Sequence, residues 1–261
     1  MTFYDWIFSI YPKNSGIKGA WGTLHIVTLV AIIGIIIGLS FFRSKRLVFR
    51  RRTIILLAAL ILCFELARRI INLLRGNTLL LDDILYILLP RPWCAISCWL
   101  VIFSAVWDKK WLYNLASTSA IICALIFFAY PMVGFNNRYI LFENLYSIGT
   151  HALLMIGGVS MITLRLTDFQ YKTAWKEGIG LAAIFLYAFI EIFVLKIESD
   201  PLYFMPGNDA QDIIGVDYPV YLVLYVLFLC VYFGAFYFVT YYLEKKNERK
   251  YGKKRKKKKK R

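Results

Sequence analysis

Glu65, Arg68, Arg69 and Asn72 recur at i, i+3, i+4 and i+7 inside an otherwise apolar run. On a helix that spacing draws one polar stripe. Two guanidinium forks on one face suit a phosphate or carboxylate, which arginine binds through paired charge-assisted hydrogen bonds. The same residues also suit an internal Glu65–Arg69 pair that fixes how the helix packs, and the spacing alone leaves both readings open. Cys94 follows the sequence Pro90-Arg91-Pro92-Trp93, and a cysteine favoured by a histidine and nearby arginines can accept an acyl group. The chain holds two histidines, His25 and His151. If proton transfer occurs inside the apolar runs, His151, Glu65 and Glu191 are the candidates to perform it. The catalytic candidates are therefore Cys94 and His151, and the substrate-binding candidates are His25, Glu65, Arg68, Arg69 and Asn72.

The elements that must position these residues are set by the distribution of apolar residues. Of 261 residues, 59% are hydrophobic and only 18% charged, and the charges gather in short segments between long apolar runs. A lipid interior imposes that distribution, because charge at the bilayer centre is costly. Seven runs reach or approach the ~20 residues a helix needs to cross the hydrocarbon. They lie near residues 21–42, 53–74, 84–107, 111–131, 140–164, 177–196 and 218–243. The expected fold is all-α, a polytopic transmembrane helix bundle forming one domain over residues 1–243, followed by a basic tail at 244–261. Pro90 and Pro92 interrupt the third run, which predicts a kinked helix or a re-entrant piece leading into a helix.

Lysine and arginine counts orient the bundle. Connections one, three and five carry Arg43, Lys45, Arg46, Arg50, Arg51 and Arg52, then Lys109 and Lys110, then Arg165, Lys172 and Lys176. The opposite connections carry Lys13, Lys18, Arg75, Arg138 and Lys196. By the positive-inside tendency the amino terminus lies outside and the carboxyl tail inside, as expected of a multi-pass protein of the cell membrane. The formal net charge is +16, and Lys253 to Arg261 is an unbroken run of nine cations. Beside a transmembrane helix such a run reads as a contact for anionic lipid headgroups, or as a solvated tail that reinforces orientation, and a nucleic-acid partner is not expected.

The acidic, turn-rich connection over residues 198–219 is expected outside, as a partial lid. Cys63, Cys94, Cys98, Cys123 and Cys230 all lie in or beside apolar runs, so no disulfide framework is expected. The amino-terminal segment lacks the pattern of a removable signal peptide. No metal or nucleotide motif is present, so neither a metal nor a cofactor is expected. The run 218–243 contains no lysine, which excludes a retinal Schiff base there.

The order of these features resembles the YwaF-like family of polytopic membrane proteins. The residues that carry the resemblance are Leu24-His25 in the first run, Phe64-Glu65 in the second, Leu89-Pro90-Arg91-Pro92-Trp93-Cys94 opening the third and Gly149-Thr150-His151 in the fifth. Trp175-Lys176 and Asp217-Tyr218-Pro219 add to it. Pro92 stands where that family usually has histidine. The resemblance implies a lipid acyltransferase in which Cys94 carries the acyl group and His151 acts as base, or a divergent member that has lost the activity. The alternatives are a small-molecule transporter or channel lined by Glu65, Arg69 and His151, and a non-catalytic membrane scaffold whose polar stripe only specifies packing.

Overall fold

The computed structural model describes residues 21–75, 89–90, 93–129, 135, 142–195 and 202–259. Among them the regular structure is helical throughout. Following the chain, the α-helices are α1 (Thr23–Ser40), α2 (Leu47–Arg75), α3 (Trp93–Trp107), α4 (Lys110–Ala129), α5 (Phe142–Thr163), α6 (Ala174–Phe189), α7 (Asp209–Ile214) and α8 (Tyr218–Lys259). A 3-10 turn, Phe41–Ser44, extends α1, and a π-helical turn, Ile190–Val194, extends α6.

Among the described residues, five helical segments are long and apolar enough to cross a membrane: Thr23–Ser44, Lys110–Ala129, Phe142–Thr163, Tyr171–Val194 and Tyr218–Tyr242. The two remaining runs depart from that standard for physical reasons. Helix α2 has 29 residues, ample length, but places Glu65, Arg68 and Arg69 within its apolar stretch. Helix α3 has 15 residues and rises ~22 Å, short of a ~30 Å hydrocarbon layer. Pro90 precedes it outside any helix. The part of the third run at 84–88, together with Arg91 and Pro92, lies outside the described residues, as do the amino-terminal segment and most of the connections carrying Arg138 and Lys196.

Helix α4 is the most enclosed span, while α1 and α8 expose most of their apolar surface at the periphery. The sequence of α4 explains its place: Ala116, Ser117, Ser119, Ala120 and Ala124 are small, and small residues let helix backbones approach closely. Opposite them on α5 is Gly158, where an added Cβ would stand 2.9 Å from the Ser117 carbonyl oxygen and 2.9 Å from Ile121 Cγ1. Helix α3 packs on α4 from the other side, and α2 closes against both α3 and α5.

The odd-numbered connections converge at one end of the bundle. Arg51 pairs with Asp108, Arg50 Nη1 donates to the Leu164 carbonyl at 2.6 Å, and Lys110 Nζ lies 3.9 Å from Asp168. The amino-terminal part of α8 is tied to the segment before α7 by tyrosine hydroxyls one turn apart. Tyr218 donates to the Phe204 carbonyl at 3.0 Å, Tyr221 to that of Tyr203 and Tyr225 to that of Leu202 at 2.8 Å. The acidic connection is thereby fastened to α8, and its short helix is capped by the Asn208 side chain, which accepts from Gln211 N at 2.9 Å.

Candidate functional site

The polar stripe of α2 faces protein. Glu65 is fully buried and accepts from three donors: Tyr146 Oη at 2.7 Å, Arg68 Nη2 at 3.2 Å and Arg69 Nη2 at 3.3 Å. The two arginines satisfy the carboxylate from within the helix, and the tyrosine reaches it from α5, 81 residues away in the chain. Each guanidinium also meets an aromatic face. Arg68 Cζ lies 5.6 Å from the Tyr146 ring centroid, and Arg69 Cζ lies 5.8 Å from that of Trp99 on α3. A buried carboxylate needs such saturation, because an unpaired charge in this setting costs several kcal/mol. Glu65 is thus the anchor that holds α2 to α5.

Beside the anchor is a cavity of about 250 Å³ lined by Arg68, Ile71, Asn72, Phe142, Glu143, Tyr146 and Ser147. Asn72 belongs to it with Arg68, as the i, i+4 spacing requires. Helix α3 places Cys94, in its first turn, near Arg68 and Glu65. The turn is itself locked to α4. Trp93 Nε1 donates to Ser119 Oγ at 2.8 Å, Ser97 and Ser119 share a 2.7 Å hydrogen bond, and Ser97 donates to the Trp93 carbonyl at 2.9 Å.

His151 is buried on α5 and its Nδ1 lies 2.7 Å from the Ser147 carbonyl oxygen. A carbonyl only accepts, so Nδ1 carries the proton and Nε2 is left as the acceptor nitrogen. Ser147, one turn away, lines the cavity. The imidazole stacks face to face on Phe127 at 3.8 Å.

His25 belongs to a separate aromatic group. Its Nδ1 accepts from Trp21 N at 3.1 Å, and its ring centroid lies 4.7 Å from that of Phe135 and 6.1 Å from that of Phe128. Phe127, 6.1 Å from Phe135, joins this group to His151. The candidate residues therefore divide. Arg68 and Asn72 line the cavity, Glu65 and Arg69 join Arg68 at the anchor, Cys94 lies near Arg68 and Glu65 and His151 one turn along α5 from Ser147, neither of them lining the cavity, and His25 sits beyond the phenylalanines.

A second buried carboxylate was not foreseen among the candidates. Glu177 on α6 accepts from Thr118 Oγ1 at 2.9 Å and from the Tyr237 hydroxyl, while Tyr232 Oη donates to the Thr118 carbonyl at 2.7 Å. This network joins α4, α6 and α8. Glu177 stands beside Trp175 and Lys176 at the start of a run, where an acid reads as an interfacial residue. The available signal was Tyr232 and Tyr237, hydroxyls within an apolar helix that had to find acceptors. Glu191, also buried, accepts from Tyr187 Oη at 2.8 Å. Among the described residues no group of three or more histidine, cysteine or acidic side chains is placed to hold a metal ion.

The model of the family described as the TMEM164 family matches residues 20–237, most of the chain. The chain belongs to the TMEM164 family. Its anchor, its cavity and both histidines fall within the matched residues. Neither a curated protein nor a solved structure matches it. A transmembrane protein family and, among the described residues, five apolar helices of spanning length make this TMEM164-family member a multi-pass membrane protein.

Proposed function

We propose that the chain transfers acyl groups between membrane lipids through Cys94, with His151 as base and Arg68, supported by Asn72, as the contact for the phosphate headgroup. The resemblance to the YwaF-like family, in the order of His25, Glu65, Cys94 and His151 along the chain, motivates this reading. The observation that supports it is the cavity beside Glu65. One wall carries Arg68, in whose field Cys94 lies, and the other carries Ser147, to which His151 is bonded.

In this reading His151 Nε2 takes the thiol proton and the Cys94 sulfur attacks an ester carbonyl of a donor phospholipid. The acyl C–O bond breaks, a thioester forms, and the leaving lysophospholipid oxygen receives the proton from His151. A second lysophospholipid hydroxyl then attacks the thioester, its proton passing through His151 to regenerate the Cys94 thiol. The first-turn N–H groups of α3 stabilise negative charge on sulfur in both halves. Glu65 orients the arginines and takes no part in the chemistry.

The complete arrangement proposed is seven spans in the cell membrane, with the amino terminus outside and the tail inside. The test of the chemistry is covalent labelling of the purified protein in lipid by an activated acyl-chain probe. Labelling is expected to vanish in Cys94→Ala and to slow by roughly 10²-fold or more in His151→Ala, the usual scale of a lost general base. Labelling indifferent to both substitutions removes the acyl-transfer reading and leaves a transport or scaffold role for the cavity.

A further inference from the structure

The end of the bundle where the odd-numbered connections converge carries a charge arrangement that the acyl-transfer reading does not use. Residues 43–52 hold six cations, Arg43, Lys45, Arg46, Arg50, Arg51 and Arg52. Two of them are engaged by the fold: Arg50 by the Leu164 carbonyl and Arg51 by Asp108. The acids at this end are likewise engaged, Asp108 also accepting from Tyr113 Oη at 3.2 Å and Asp168 from Asn114 Nδ2 at 3.2 Å. Arg43, Lys45, Arg46 and Arg52 are exposed and have no acidic partner among the described residues, and Lys109 and Arg165 stand exposed on the adjoining connections. So many like charges in one turn repel each other, and a dense anion layer would relieve them.

The same turn also exposes apolar side chains between its cations. Phe41 is 72% exposed, and Val48 and Phe49 are exposed with it. Alternating exposed apolar groups and long cations fit a phospholipid interface, where the apolar groups enter the acyl boundary and the cations reach up to the phosphates. An acidic protein or a nucleic acid supplies the anions but gives Phe41 and Val48 nothing to enter.

We propose that this turn, between α1 and α2, is a binding collar for anionic phospholipid headgroups. It is distinct from the cavity beside Glu65 and from the basic run at Lys253–Arg261. It selects anionic over zwitterionic lipid in the layer next to the protein.

The test uses the full chain reconstituted in phosphatidylcholine vesicles, with tryptophan fluorescence quenched by brominated phosphatidylserine or brominated phosphatidylcholine at equal mole fraction. Trp107 and Trp175 are both exposed beside the converging connections and report on that lipid layer. Wild type is expected to show several-fold preference for the anionic lipid, and the fourfold variant R43Q/K45Q/R46Q/R52Q a preference near one. All four side chains are exposed, so helix content and thermal midpoint are expected to hold, and they are measured alongside. A chain with Lys253–Arg261 replaced by glutamine is expected to keep most of the preference.

A preference unchanged in the fourfold variant, or lost only with the tail, overturns the proposal. Collapse of the preference in millimolar inorganic phosphate marks a free-phosphate site, and displacement of anionic lipid by polyglutamate marks a protein dock. Either of those results also overturns it.

Discussion

At the scale of single residues, Glu65 decides the architecture of the site. Its three donors come from two helices, and Arg69, only 5% exposed, would be left facing low-polarity surroundings if the carboxylate were removed. Removing one partner of a buried pair costs about 3–5 kcal/mol, and losing one hydrogen bond to a charged group costs about 1.5–3 kcal/mol. Glu65→Ala is therefore expected to lower the unfolding midpoint in detergent clearly more than Tyr146→Phe, with both below wild type. Equal tolerance of the two changes would mean that the arginines do not depend on Glu65.

The i, i+3, i+4, i+7 spacing made the Glu65, Arg68, Arg69, Asn72 stripe legible, because helix geometry alone puts those side chains on one face. Tyr146 was not legible. Its contact spans 81 residues, and no periodicity within α5 marks it as a donor. The surroundings of His25, namely Trp21, Phe128 and Phe135, were likewise not legible, because the two phenylalanines lie on other parts of the chain.

At the scale of elements, the apolar runs located the helices well, since exclusion of charge from lipid writes itself directly into composition. The run at 53–74 corresponds to Leu47–Arg75 and that at 140–164 to Phe142–Thr163. The third apolar run begins near 84, and its described helix begins at Trp93, beyond Pro90. Which helix lies innermost was not legible from hydropathy, because the most apolar helices are the peripheral ones and α4 is the enclosed one.

The signal for α4 lies instead in its small residues and in Gly158 opposite them. Gly158→Ala forces α4 and α5 apart and is expected to destabilise by about 1–3 kcal/mol, the usual cost of overpacking. The neighbouring Gly157→Ala, whose Cβ would meet only Val101 at 4.0 Å, is expected to stay within about 0.5 kcal/mol of wild type. Thermal unfolding of the two variants in the same lipid checks the contrast, and reversed magnitudes would contradict the close approach of α4 and α5.

At the scale of the whole molecule, the two ends of the bundle differ in kind. One end gathers cations from alternate connections and ties them together through Arg51, Arg50 and Lys110. At the other, the tyrosines of α8 fasten the acidic connection. The basic connections were legible in sequence as a group, and Arg50, Arg51 and Lys110 from them meet at one end. The Glu177 network, which joins α8 to the bundle through Tyr237 and Tyr232, was not anticipated because each of its contacts crosses from one span to another.

The proposed acyl transfer is assigned to the Glu65 cavity between α2 and α5. The direct measurement is transfer of a labelled acyl chain from a donor phospholipid to a lysophospholipid in vesicles containing only the purified protein. Transfer by wild type that is abolished in Cys94→Ala, with the label trapped on Cys94 when the acceptor is omitted, is the predicted result. Transfer that persists in Cys94→Ala, or its absence from correctly folded wild type supplied with both lipids, would contradict the account.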